Sequence, residues 1–321
     1  MLTFLPQKEY NEANLSKGVT PMCTSIYYET KDHTHLLART LDFAQDMHLT
    51  PIIIENGHHF ASPFSSDGFA SKYRFVGAGK NDTFADGFNE KGLAIASLYF
   101  NENAVYAKEP KRNAINLAAT EVIPWVLGHT ASISEFKEAA NQLNVCQVEN
   151  SFVKGIMPLH WILYDRHGDS LVMEITKTGI HLYDNPVGVM TNSPAFPWQL
   201  TNLGHYSHIQ PQDFPAKKYG DYQIVPDGPG NGAIGLPGDY TSTSRFVRTA
   251  FLRQYTDQAT DAQSGLVTLN HILNNVDIPR GVKVNTKGQA DYTQYKGFMD
   301  LDHLTYYYLP YNQLKMTKIS L

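Results

Sequence analysis

The chain has 321 residues, 42% of them hydrophobic and 18% charged, an ordinary globular balance that excludes a disordered or fibrous protein. Twenty-six basic against thirty-one acidic residues give a net charge of −5. With no long basic run and no apolar stretch long enough to span a bilayer, nucleic-acid binding and membrane insertion have no support, and a small-molecule substrate is expected. Two cysteines, Cys23 and Cys146, fall in no zinc-type spacing and make no disulfide framework. Two free thiols suit a reducing, cytoplasmic setting.

The first 22 residues are polar and aperiodic, interrupted by Pro6, Gly18 and Pro21, and read as a leader or upstream extension. They lack the basic start and apolar run of a secretory signal. At Cys23 the texture changes: CTSIYYET is rich in β-branched and aromatic residues and predicts a strand. Further strands are expected at 51–55, 73–77, 93–100, 159–164, 170–176 and 179–183, the last two joined across Lys177-Thr178. A largely apolar run, 114–127, predicts a helix that Pro124 ends or kinks. Ser132 and Glu135 have capping-box spacing ahead of a second helix. Apolar residues at helical spacing predict a third over 244–255, and 264–274 is a fourth. Strands return at 290–297 and 305–310. No repeat or linker divides 23–321, so a single α+β layered domain is expected.

Several signals lead nowhere. Gly230-x-Gly232-x-x-Gly235 matches a dinucleotide fingerprint, but it lies between Pro/Gly-rich segments rather than between a strand and a helix. There is no GxSxG elbow, P-loop or HExxH. His33, His35, His58 and His59 fall in no spacing that completes a metal site and read as surface histidines; neither metal nor organic cofactor is expected. Cys146 reads as a small buried hydrophobe.

What remains are four segments in order. Met22-Cys-Thr-Ser25 is followed by Ala38-Arg-Thr-Leu-Asp-Phe43, then by Asn89-Glu-Lys-Gly-Leu93 leading into Ser97-Leu-Tyr-Phe100. Met190-Thr-Asn-Ser-Pro194 is next, and last come Gly235-Leu-Pro-Gly-Asp239 and Ser242-Thr-Ser-Arg-Phe246. This series resembles the choloylglycine hydrolase and penicillin V acylase family of N-terminal-nucleophile (Ntn) hydrolases. The resemblance implies a four-layer αββα sandwich of two antiparallel sheets, an amidase working without a cofactor, and a homotetramer. It also implies roles: Cys23 as nucleophile, Asp42 orienting the α-amino group, Arg39 and Arg245 favouring the thiolate and tying down that carboxylate, and Asn192 with the main-chain N–H of Tyr99 binding the oxyanion. Such chemistry suits an N-terminal cysteine, whose α-amine, with an ordinary pKa of about 8, takes the thiol proton. The leader must then be lost, by translation starting at Met22 and removal of that Met, or by self-cleavage at Met22–Cys23.

Tyr99 stands where members cleaving bile salts tend to carry Asn, so the resemblance points first to phenoxyacetyl amides such as penicillin V. Conjugated bile salts come second and N-acyl homoserine lactones third. A catalytically silent ligand-binding relative and a Cys–His hydrolase with internal Cys23 are the alternatives from other classes.

Overall fold

The computed structural model describes residues 22–150 and 155–321. The expected leader therefore lies outside the described residues except for Met22, which opens the first strand. The principal strands are β1 (Met22–Glu29), β2 (His35–Phe43), β3 (Thr50–Ile54), β4 (Phe75–Lys80), β5 (Asp86–Asn89) and β6 (Leu93–Tyr99). Helices α1 (Val122–His129) and α2 (Ile133–Ala140) follow, then β7 (Leu159–Asp165), β8 (Ser170–Thr176), β9 (Gly179–Asp184) and the short β10 (Val189–Met190). Three more helices, α3 (Phe196–Leu203), α4 (Ser242–Tyr255) and α5 (Ala262–Asn274), precede β11 (Ala290–Asp300), β12 (Thr305–Pro310) and β13 (Thr317–Ser320).

These strands form two antiparallel sheets. One runs β10-β1-β2-β11-β12-β13, the other β9-β8-β7-β6-β5-β4-β3. Side-chain alternation in the second sheet explains the layering. Ala94, Ala96 and Leu98 of β6, with Ile162 and Tyr164 of β7, join a core shared with the first sheet. Their neighbours Leu93, Ile95, Trp161 and Leu163 pack instead beneath α1 and α2, against Val122, Val126, Leu127, Ile133 and Phe136. On the other side, Leu266, Leu269, Ile272 and Leu273 of α5 and Phe246 of α4 cover the first sheet. The result is the four-layer αββα arrangement, and a stacked pair, Tyr27 of β1 on Tyr164 of β7 with ring centroids 4.4 Å apart, pins its two sheets together.

Two expectations about elements need correction. The run 114–127 is not one helix. Ile115–Ala118 is a strand paired in parallel with Leu143–Cys146, Ala119–Glu121 is a 3₁₀ turn, and α1 starts only at Val122. Proline dictates that start: Pro124 is tolerated in the first turn, where its missing N–H has no intrahelical partner to lose. Strand β2 is absent from the sequence-based expectation although it is a central strand of the first sheet. All nine of its residues are buried, so Arg39, Thr40 and Asp42 sit inside the protein and erase the alternation that marks a strand. The other predicted strands and helices lie within a few residues of their expected bounds, whereas β5, β10, α3 and β13 are elements the sequence reading did not anticipate. Ser132 caps α2 by accepting a bond from the Glu135 N–H at 3.2 Å. The Gly230–Gly235 segment is a loop with a 3₁₀ turn at Asn231–Ala233, without the helix a dinucleotide site requires.

Candidate active site

Cys23 is the second residue of β1 and is 3% exposed. Its neighbours follow from register. β1 pairs with β2 so that Met22 faces Asp42 and Cys23 faces Leu41. On its other side β1 pairs with β10, Ser25 opposite Met190. Continuing that antiparallel register by two residues brings Asn192 beside Cys23, where its side chain supplies the next link: the Cys23 N–H donates to Asn192 Oδ1 at 2.8 Å.

Arg245 lies in the first turn of α4, whose N-cap is Thr241, and is fully buried rather than solvated. Its Nη1 donates to the Cys23 carbonyl (2.5 Å) and to Thr24 Oγ1 (2.6 Å), and its Nη2 to Asn192 Oδ1 (2.8 Å). Asn192 Nδ2 in turn donates to the Tyr99 carbonyl at 2.9 Å, leaving its second amide hydrogen available. Asp42 is held by two hydroxyls, Thr293 (2.6 Å) and Thr40 (3.1 Å). Arg39 donates to the Ala85 carbonyl at 2.9 Å and lies 3.5 Å from Asp86.

All six expected residues, Cys23, Arg39, Asp42, Tyr99, Asn192 and Arg245, are thus brought together, but one expected link is absent. Among the described residues neither arginine forms an ion pair with Asp42; Arg245 holds the Cys23 carbonyl and Asn192, and Arg39 reaches across to Asp86 in the other sheet. Threonine hydroxyls take over the Asp42 carboxylate because Thr40, two residues away on the same face of β2, and Thr293 of β11 stand directly beside it. Sequence reasoning missed Thr40, Thr293 and Asp86, since isolated hydroxyls and a lone aspartate form no motif. It also missed the buried pair His160–Glu174 (3.3 Å), in which Glu174 accepts from the Phe196 N–H at 2.8 Å and so anchors the segment following Asn192.

Burial and the neighbouring charges oppose one another in the electrostatics of the site. Burial pushes the Cys23 thiol up, Arg39 pulls it down, the Asp42 carboxylate pushes it up again, and the Asp42 N–H and Arg245 pull it down; the net direction is up. Asp42 is raised to about 6 by burial, against the pull of Arg245, Thr293, Thr40 and Arg39. Cys23 opens onto a cavity of about 550 Å³, including its mouth, lined chiefly by apolar groups such as Phe43, Met47, Leu49, Phe84, Met157 and Leu159. The Tyr99 ring borders it, 6.0 Å from that of Phe43. Cys146 is a buried free thiol, bonded to Asn144 at 3.1 Å. Of the expected surface histidines, His35 is buried and bonds Asp302, a correction that follows from its place on β2. Among the described residues no cluster of metal ligands occurs and no helix is long and apolar enough to cross a membrane.

An αββα sandwich carrying a buried cysteine at the head of its first core strand, beside Asp42, Asn192 and Arg245, defines an amide hydrolase of the Ntn class. The chain belongs to the linear amide C–N hydrolases of the choloylglycine hydrolase family, whose model matches residues 23–321. It is 36% identical over 304 residues to a bile salt hydrolase/transferase of Clostridium perfringens, covering 94% of this chain and 92% of the relative. Identity to a penicillin V acylase of Pectobacterium atrosepticum is 26% over 325 residues, covering 92% and 79%. A crystal structure of a variant of conjugated bile acid hydrolase from Clostridium perfringens superposes with a TM-score of 0.86 at 35% identity, covering 93% of this chain and 92% of that one.

Proposed function

We propose that the chain hydrolyses the amide bond of conjugated bile salts, releasing the bile acid and its glycine or taurine, once Cys23 has become the N-terminal residue. The observation that carries this reading is the mainly apolar pocket opening onto Cys23, in a chain more similar to a bile salt hydrolase than to a penicillin V acylase. A steroid acyl group supplies the apolar surface such a cavity accepts. This order reverses the one Tyr99 alone suggests.

In the processed enzyme the α-amine of Cys23 takes the thiol proton, and the thiolate adds to the substrate carbonyl. The oxyanion is received by the second amide hydrogen of Asn192 and the main-chain N–H of Tyr99. The tetrahedral intermediate then collapses, the leaving amine takes the proton from the α-ammonium group, and a thioester remains. Water, deprotonated by the same α-amine, hydrolyses the thioester and regenerates the thiol. Asp42 stabilises the α-ammonium group, while Arg245 holds the Cys23 carbonyl and the Asn192 oxygen in place. Residues 1–22 are a leader or an upstream extension, and while they are attached the Cys23 nitrogen is an amide that cannot act as base. Residues 23–321 form the single catalytic domain.

Penicillin V is the second reading, favoured by the Tyr99 and Phe43 rings that border the cavity and offer a flat phenoxy group a face to stack on. Measuring kcat/KM for glycocholate, taurocholate and penicillin V on processed enzyme at one pH decides between them. A conjugated bile salt is expected to lead by at least about tenfold, equivalent to about 1.4 kcal/mol of transition-state binding. A lead of that size for penicillin V would transfer the assignment.

A further inference from the structure

A buried carboxylate outside the expected set stands behind Arg39. Asp86 opens β5 in the second sheet and is fully buried. Its Oδ1 accepts from the Tyr306 hydroxyl (2.6 Å) and its Oδ2 from the Tyr295 hydroxyl (2.5 Å), both tyrosines belonging to the first sheet. Arg39 Nη1 lies 3.5 Å from the same Oδ2, and Arg39 Nε donates to the Thr40 carbonyl at 3.1 Å. The opposite strand makes room for this arrangement. Gly297 faces Arg39 across the β2–β11 ladder, and a Cβ there would fall 2.6 Å from the Tyr306 hydroxyl, so only glycine lets that hydroxyl reach Asp86.

One edge of the guanidinium is left over: Arg39 Nη2 is buried without a hydrogen-bond partner. Burial works to lower the pKa of Arg39, but Cys23 first, then Tyr295 and Asp86, outweigh it and raise it. A buried ion pair is weak evidence of stabilisation, because apolar residues of like volume often serve the fold as well. A buried, unpartnered donor is destabilising by itself. It becomes useful when negative charge forms beside it, since a donor already in place needs no reorganisation at that moment.

We propose that Asp86, braced by Tyr295 and Tyr306, is a positioning residue that locks Arg39 with its free Nη2 edge turned to the Cys23 sulfur. The inference rests on Cys23 being the nucleophile. The charged and titratable groups around that sulfur are Arg39 and Asp42 from β2, Arg245 from α4 and Tyr99 from β6.

The test uses processed enzyme carrying Asp86→Asn or Tyr306→Phe. The rate of Cys23 alkylation by iodoacetamide is followed against pH by mass spectrometry, beside kcat, KM and thermal stability. Loss of a negative charge would, by electrostatics alone, move the alkylation profile to lower pH. Loss of positioning moves it the other way, because the thiolate is deprived of its cation. Asp86→Asn is expected to shift the profile upward by about one pH unit and to lower kcat on the order of tenfold to a hundredfold, with KM within about twofold. Tyr306→Phe keeps charge and volume and should shift it the same way, with kcat down about threefold; it decides the matter alone if Asp86→Asn does not fold. An alkylation profile unmoved or moved downward, whatever happens to thermal stability or kcat, would make Asp86 a structural residue and overturn the proposal. Activity surviving in Cys23→Ala would instead overturn the nucleophile assignment beneath it.

Discussion

Asn192 offers the sharpest separation of structure from chemistry, through the pair Asn192→Ala and Asn192→Asp. Its side chain accepts from the Cys23 N–H and Arg245 Nη2, each at 2.8 Å, and donates to the Tyr99 carbonyl at 2.9 Å, all in a residue only 6% exposed. Alanine removes all three bonds and leaves a buried guanidinium edge and a carbonyl without partners. Two bonds to neutral groups at about 1 kcal/mol each and one to a charged group at about 2 kcal/mol predict a loss of about 4 kcal/mol. At a few degrees per kcal/mol for a chain of this size, Tm should fall by roughly 10 °C. Aspartate keeps the oxygen that accepts both bonds and sets its charge against Arg245, which offsets the contact of its second oxygen with the Tyr99 carbonyl, so Tm should fall by only a few degrees. Neither variant has an amide N–H for the oxyanion, so both should lose about a hundredfold to a thousandfold in kcat. The assay is calorimetry beside bile-salt hydrolysis, on chains shown by mass to start at Cys23. Near-normal kcat in Asn192→Asp would refute the oxyanion role, and an Asn192→Asp Tm as low as that of Asn192→Ala would refute the hydrogen-bond accounting.

Three further outcomes are expected. Cys23→Ser should fold normally and lose orders of magnitude in turnover, whereas Cys146→Ser should alter activity little; the reverse pattern in a hydrolysis assay would mean the other thiol is the nucleophile. Because burial raises Asp42 to about 6, above an unfolded value of about 3.9, the folded state binds the extra proton between those pH values. The stability this group contributes is therefore fully present below the unfolded value and is lost as pH rises through about 6. In a Cys23→Ala background that retains Met22, adding Asp42→Asn should raise Tm at pH 8, and the gain should shrink toward pH 5; a gain that persists or grows in acid would contradict the assignment. Tyr99→Asn keeps its main-chain N–H, so it should slow penicillin V cleavage and leave glycocholate cleavage unchanged or faster, as a comparison of kcat/KM would show.

Where the chain obeys local rules, the sequence is a good guide to the fold. Ser170–Thr176 and Thr305–Pro310 match their predicted ranges because β-branched and aromatic residues fill them and turns bound them. It misses the short elements β5, β10, α3 and β13, and it fails also where function or proline overrides pattern. Strand β2 carries Arg39 and Asp42 inward, so the residues that reveal the chemistry hide the element that holds them. The same holds for the site: Cys23, Asn192 and Arg245 are legible through segments spaced along the chain, whereas the supports Thr293, Asp86 and Glu174 come from strands remote in sequence. Only the sheet registers bring them into contact. That Arg245 grips the Cys23 carbonyl instead of pairing with Asp42 depends on where α4 lies across β1, which no spacing encodes.

The central claim is that the α-amine of Cys23 is the base, and the N-terminus of the active protein tests it most directly. In the described structure Met22 and Cys23 are joined within β1, 7% and 3% exposed. Intact mass and N-terminal sequencing of the active fraction from the native host should show chains beginning at Cys23, with activity proportional to their share. Full amidase activity in a preparation whose chains all retain Met22 would contradict the account.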